Sequence, residues 1–423
     1  MTRNALRQRI FFLALIAFGC LAPCAHALTL AEAEALLIAN NRELLAARRA
    51  IASAEAQQVI AGARPNATLS VNSTSINSAN TIDGQKRTAD TIFRIDQPFE
   101  RGDKRELRLD AASGLQRAAQ NDSLDMLRQQ LAAVRAAYYD LKQAQERGRV
   151  LSESAQLFAG TLSAAQTRLK AGDLAPADVA KVQVDYERAQ NDARAAQADL
   201  TRARLSLAYL IGAERAAPEL TATDSWPAPE RTDAEAVEQA IETRPDVLAA
   251  KARFEAAEKL RDLARAQRTR DITVGAQFER WIPGSPQTSA VGIGVSIPLF
   301  TGNDFSGDIQ KAEVDRYAAL DFFAKVRAIA ANDLRRAASD LNAAAERVER
   351  YEGSLLDAAG RSAQAAEFAF QRGALSVLEV LDARRTLRAV QLESVAARAD
   401  YARALAAWRA SGTTAQSLAP RAP

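Results

Sequence analysis

Two rhythms of apolar and polar residues divide this chain. Between Thr288 and Asn303 the odd positions Val291, Ile293, Val295, Ile297 and Leu299 are apolar, while Ala290, Gly292, Gly294 and Ser296 are small or polar. A period of two predicts a strand with one apolar face, here at about 288–299 and closed by Pro298 and Gly302. The same rhythm recurs at about 66–76, through Leu69 and Val71. At about 88–98, Ala89, Thr91, Phe93 and Ile95 share one face, and Asp90, Arg94 and Asp96 the other. A fourth strand at about 271–282 sets Ile272, Val274, Ala276 and Phe278 against Asp271, Thr273, Gln277 and Glu279. A loop through Asp83-Gly84 follows the first strand, and Pro283-Gly284-Ser285-Pro286 makes a hairpin of the last two.

Elsewhere the apolar spacing is three and four. Leu30 to Ala61 reads as one helix, with Thr29 as N-cap and Glu32 three residues on. From Arg101 to Lys170 there is no proline, and a helix of that length spans roughly 100 Å. Leu124, Leu127, Leu131, Val134, Tyr138 and Leu141 form a coiled-coil seam along it. Gly172 and Pro176 mark a turn, and Val179, Val182, Tyr186, Ala189, Ala193, Ala196, Leu200, Ala203, Leu207 and Leu210 continue the seam toward Gly212. Residues 213–232, with Pro218, Pro227 and Pro229, read as an irregular connector. The cycle then restarts: Thr243-Arg244-Pro245-Asp246 echoes Asn40-Asn41-Arg42-Glu43, and a proline-free run extends from Asp304 to Arg372. Its heptads are Leu334, Leu341, Val348 and Leu355, each followed three residues later by Ala337, Ala344, Tyr351 and Ala358. Gly373 turns the chain where Gly172 did, and the last helix reaches about Ser411. The organisation is therefore a first repeat at 28–212, the connector, a second repeat at 233–412 and a loose tail at 413–423.

Strands of about 11 residues have the length that crosses a bilayer when tilted. Four strands cannot close a barrel, and an open edge in lipid leaves backbone groups unsatisfied at several kcal/mol each. Membrane strands of this kind require an oligomer: two chains would make a filled barrel, three a wider one with a pore.

Composition narrows the chemistry. Arg3, Arg7 and Arg9, the apolar run Ile10–Leu21 and Ala25-His26-Ala27 make residues 1–27 a cleavable export segment. Phe18 two before Cys20 and Pro23 directly before Cys24 disfavour lipid attachment at either cysteine. The segment holds the only histidine and both cysteines, so cleavage leaves no imidazole or thiolate for a catalytic triad or a His/Cys metal site. It also removes three arginines, and 55 basic residues fall to 52, level with the 52 acidic ones. Charge gives no support to a nucleic-acid partner. Much of the 48% hydrophobic content is alanine and only 6% is aromatic, a composition suited to closely approaching helices.

With these elements in order, the chain resembles the TolC-type outer-membrane efflux proteins over essentially all of its mature length. The residues that carry the likeness are the repeat, Ile297-Pro298-Leu299-Phe300 at the end of the last strand, and Gly373, Ser376, Glu379-Val380-Leu381-Asp382-Ala383 after the helical turn. The resemblance implies a mainly α fold with a membrane β-barrel. It would be a homotrimer whose twelve-stranded barrel, four strands per chain, sits among outer-membrane lipids and continues as a long α-helical periplasmic tunnel. It also implies a passive exit duct, without a cofactor, joined by a periplasmic adaptor (membrane fusion) protein to an inner-membrane resistance–nodulation–division pump. The length and general run of the sequence look most like the cobalt–zinc–cadmium branch, hence heavy-metal cations as cargo, with drugs or organic solvents as the alternative. A trimeric periplasmic coiled coil or adaptor without a pore is the competing class, and the four alternating strands count against it. No nucleophile–base constellation supports an enzyme.

Site residues follow from the same likeness. Glu379 and Asp382 occupy positions where the family carries acids around the periplasmic entrance; the alternative is a solvated pair at a helix start. Asp178 and Lys181 hold the equivalent place in the first repeat, as gating or adaptor contacts or as a surface pair. Some members lock the entrance with a tyrosine and an arginine, where this chain has Phe370 and Leu375. Gly172 and Gly373 allow tight turns and stand at the tips an adaptor would grip. Asp90, Arg94 and Asp96 face the barrel lumen on this reading, or form a polar face near its rim. Trp281 and Phe300 are candidates for interfacial belts.

Overall fold

The computed structural model describes residues 26–74, 90–233, 240–280, 289–372 and 374–418. Residues 1–25 of the expected 1–27 export segment, both loops joining paired strands (75–89 and 281–288, with Trp281), residues 234–239, Gly373 and residues 419–423 lie outside the described residues. The chain divides into two compact units, one holding residues up to 45, 126–238 and 332–413, the other 46–125, 239–331 and the C-terminal residues from 414.

In the first unit, strand β1 (His26–Leu28) leads into helix α1 (Leu30–Asn40), whose start carries the expected capping box between Thr29 and Glu32. The helix expected over 30–61 is in fact two. Asn41 leaves helical geometry at ψ 129°, and α2 (Arg42–Gly62) begins on its side chain. Asn41 Oδ1 accepts from the N–H groups of Glu43 and Leu44 at 2.9 and 3.1 Å, and its Nδ2 donates to the Leu210 carbonyl at 3.0 Å. Leu210 lies in the last turn of α4 (Pro176–Ile211), which follows α3 (Lys104–Ala171). The break is thus fixed by a partner distant in sequence, which local periodicity cannot register.

The connector at 213–232 is less irregular than expected. It holds a 3₁₀ helix, Glu214–Glu219, and strand β4 (Leu220–Ala222), which pairs in parallel with β1. Tyr138 of α3, fully buried, ties this pair together. Its hydroxyl donates to the Leu28 carbonyl at 3.0 Å and accepts from the N–H groups of Thr223 and Asp224 at 3.1 and 3.0 Å. Burial pushes the Tyr138 pKa up, so the hydroxyl remains a donor at any ordinary pH.

Helix α6 (Ser306–Arg350) keeps the expected seam through Leu334, Leu341 and Val348, all buried. Beyond it the seam moves. Leu355 is 44% exposed and Ala358 exposed, whereas Ala359 and Ala363 of α7 (Leu356–Gln371) are buried. The cause is a π-helical turn, Tyr351–Leu355, between α6 and α7. An i→i+5 turn holds one residue more than an α turn, so every later seam position shifts by one. Helix α8 (Val377–Ser411) ends where expected, and a short α9 (Ala415–Leu418) occupies part of the expected tail.

The second unit contains β2 (Thr68–Thr74), β3 (Asp90–Phe99), α5 (Pro245–Ala266), β5 (Ile272–Arg280) and β6 (Ser289–Ser296). The four strands form one antiparallel sheet in the order β2-β3-β5-β6. Strand β6 stops at Ser296, short of the expected Leu299. Beside the sheet, α5 buries Ala249, Ala250, Ala252 and Ala256, and the start of α3 buries Ala111, Ala112 and Ala118; small residues let these helix surfaces close up without voids.

Candidate functional site

Two places carry chemistry, the four-stranded sheet and the turns that join the long helices. Register places the apolar positions of all four strands in shared rows. Val71, Phe93, Phe278 and Val291 are cross-strand partners in sequence, as are Leu69, Ile95, Ala276 and Ile293. A third row joins Val274 and Val295. This face is open: Val291 is 81% and Ile293 84% exposed, although both are the kind of side chain a water-facing sheet avoids. The opposite face is polar or bare. Its rows are Ser70–Arg94–Gln277–Gly292 and Thr68–Asp96–Gly275–Gly294, and one row further on Asn72–Ile92–Glu279–Ala290, where Ile92 is the one large apolar side chain.

Arg94 and Asp96 come together on that polar face, Arg94 Nε donating to both carboxylate oxygens at 2.9 and 2.8 Å. Asp90 stands on the same face at the first residue of β3, opposite Thr74, and does not join the pair. The sequence placed all three acids and bases on one face but carried no sign that two of them neutralise each other.

The helical turns lie in the first unit. At the α3–α4 turn Gly172 adopts φ 83°, open to glycine at little cost, and Asp173 N–H returns to the Arg168 carbonyl at 2.9 Å. Half-buried Asp178 and exposed Lys181 then pair at 3.3 Å near the start of α4. At the α7–α8 turn Ser376 caps α8. Its N–H and hydroxyl donate to Glu379 Oε2 at 2.9 and 2.7 Å, and Glu379 N–H donates to Ser376 Oγ at 3.3 Å. The hydroxyl contact, then the backbone one, holds the Glu379 carboxyl below the usual glutamate range. Glu379 is therefore engaged locally, while Asp382 points out exposed on the next turn.

Phe370 and Leu375 do not stand idle. The Arg168 guanidinium lies 4.4 Å over the Phe370 ring, a cation–π contact between the ends of α3 and α7. Phe370 also packs on a cluster in which Val179 and Val182 of α4 meet Val377 and Leu381 of α8. Leu375 is half-buried in the turn. Sequence reasoning missed the ion pairs that accompany this cluster. Asp185, with its side chain only 7% exposed, pairs with Arg385 at 2.5 Å, and Asp192 with Arg388 at 3.4 Å. The available signal was the heptad spacing of Asp185 and Asp192, matched by Arg385 and Arg388 early in α8. Among the described residues no group of His, Cys, Asp and Glu is placed to hold a metal ion, and no helix is long and apolar enough to cross a membrane.

Comparison with known proteins adds to this geometry. The family model described as "Outer membrane efflux protein" matches residues 35–213 and 236–411. The cobalt-zinc-cadmium resistance protein CzcC of Cupriavidus metallidurans is 28% identical over 367 residues, covering 85% of this chain and 84% of its own. Among solved structures, the outer-membrane channel OprN superposes with TM-score 0.78 at 20% identity, over 90% of this chain and 89% of that one. The outer membrane protein VceC of Vibrio cholerae does so with TM-score 0.75 at 19% identity, over 91% and 96%. These two likenesses are of fold.

Proposed function

The chain belongs to the outer membrane efflux protein family, and on that premise we propose that it is the exit duct of a tripartite efflux system. It conducts heavy-metal cations passively, from an inner-membrane resistance–nodulation–division pump and a periplasmic adaptor to the outside. A cleaved export segment delivers it to the outer membrane.

The observation that carries the duct is the two-faced sheet with unpaired edges. Its apolar face is open across all four strands, and among the described residues β2 and β6 each leave one side without a partner strand. The ten residues of β3, tilted at about 45°, rise through roughly 24 Å, close to the apolar band of an outer-membrane barrel. Three copies pooling their edges make a twelve-stranded barrel with the apolar face in lipid and the Arg94–Asp96 face in the lumen. Glu379 and Asp382, repeated threefold, surround the periplasmic entrance, with Asp178, Lys181 and the Gly172 and Gly373 turns as contacts for the adaptor. Likeness to CzcC along most of both chains supports cobalt, zinc and cadmium ions as cargo.

Detergent-extracted protein should sediment as three chains and open ion-conducting pores in planar bilayers. A folded, monodisperse monomer without conductance overturns the duct. Cargo is tested separately, by deleting the gene and measuring tolerance to the three ions. Unchanged tolerance removes metals as cargo and leaves the duct in place.

A further inference from the structure

Arg94 and Asp96 are two residues apart on β3, so both rise from the same face of the sheet. What lies beside them is unusual for a strand interior. Gly275 is the cross-strand partner of Asp96, and Gly294 the partner of Gly275. A Cβ at Gly275 would stand 2.2 Å from Asp96 Oδ1, 3.0 Å from Arg94 Nη2 and 3.3 Å from Arg94 Nε. At Gly294 a Cβ would stand 3.7 Å from Arg94 Nη2, an ordinary contact. The ion pair thus lies down across the bare backbone of β5, with its guanidinium reaching toward β6. Glycine in a strand interior weakens the strand and commonly marks such a close approach.

We propose that Gly275 is a positioning residue for conduction. It forms a recess that holds the Arg94–Asp96 pair flat against the wall and mutually neutralised, out of the ion path. The inference rests on the reading of this face as the lining of a duct. Threefold repetition gives it weight. Three guanidiniums released from their carboxylates would stand in one ring and favour anions, whereas three flat pairs favour neither sign and leave the lumen wide.

The test is a double-substitution cycle read by conductance and reversal potential in planar bilayers. Asp96→Ala should free Arg94 and move the reversal potential toward anions. Gly275→Ala puts a methyl group where Asp96 Oδ1 now lies, so the carboxylate must swing off the wall, and conductance should fall. On the Asp96→Ala background the same methyl meets no carboxylate, and the double variant should behave as Asp96→Ala alone. Gly294→Ala should match the parent. A merely structural glycine would alter assembly yield and leave reversal potential and the cycle untouched. Should Gly275→Ala fail to fold, the double variant should fold again, because its clash is gone. The proposal is overturned if Gly275→Ala conducts as the parent does, or if its effect is equally large with Asp96 removed. A parent protein that conducts nothing overturns the duct reading instead, and the cycle measured in thermal unfolding still decides whether the recess acts through Asp96.

Discussion

Ile293→Arg is the substitution on which the membrane sheet stands or falls. Ile293 lies mid-strand on β6 in the row with Ala276, Ile95 and Leu69, 84% exposed on the apolar face. In water an arginine there would cost almost nothing, because there is little packing to lose. In lipid near the midplane it costs about 2–4 kcal/mol per chain. That range lowers the folding constant in a bilayer by about 30-fold to nearly a thousandfold. The control is Gln277→Arg, one row away at nearly the same depth on the opposite face, and Ser296→Arg adds a second position on that face. Both should be mild because their side chains enter a wide aqueous lumen. Urea-denatured protein can be folded into phospholipid vesicles, with protection from protease as the readout. Equal losses for Ile293→Arg and Gln277→Arg, or none for either, would refute the assignment of faces.

Asn41→Ala removes the cap of α2 and leaves the half-buried Leu210 carbonyl without this donor, and should cost about 1–3 kcal/mol in denaturant unfolding; a loss under about 0.5 kcal/mol would make those bonds incidental. Deleting Gly353 takes the extra residue out of the π turn and rotates α7 by about 100°, turning Ala359 out of its buried position and Phe370 off its cluster. The melting temperature should drop and the channel leak, whereas Gly353→Ala, with nothing within 4 Å of its new methyl, should match the parent; equal tolerance of both would mean that the turn does not set register. Replacing Glu379 and Asp382 with alanine should reduce cation selectivity and block by trivalent cations, and Asp178→Ala should do less; an unchanged reversal potential removes the acidic ring. Because Ser376 holds Glu379 below its ordinary value of 4.5, the charge and its stabilising cap persist through that pH and are lost only as pH falls further. Ser376→Ala should raise the pH at which selectivity fades, and an unmoved midpoint would exclude Glu379 as its source.

Much of this protein is written in its local pattern. The period of two in the four strands decided which face would be apolar, because alternate residues of a strand must point to opposite sides. Thr29 with Glu32 announced a capping box, Gly172 a left-handed turn, and the Val179–Val182–Ala189–Ala196 spacing a buried seam on α4, and each is found where its chemistry placed it. Such features need only neighbours in sequence.

The remainder depended on partners far along the chain. Asn41 ends α1 because Leu210 of α4 waits for its amide, and β4 exists because Leu28 and Tyr138 supply its partners. Leu355 fits a heptad as well as Leu356 does, so only packing against α8 could decide that a π turn shifts the seam. Asp185 reads as one more polar heptad position until Arg385 is set against it. Likewise Arg94 and Asp96 show a charged strand face, but not that Gly275 of another strand leaves room for them to lie flat. A hydrophobic pattern encodes which side of an element is covered; what covers it, and in which register, is settled when the elements meet.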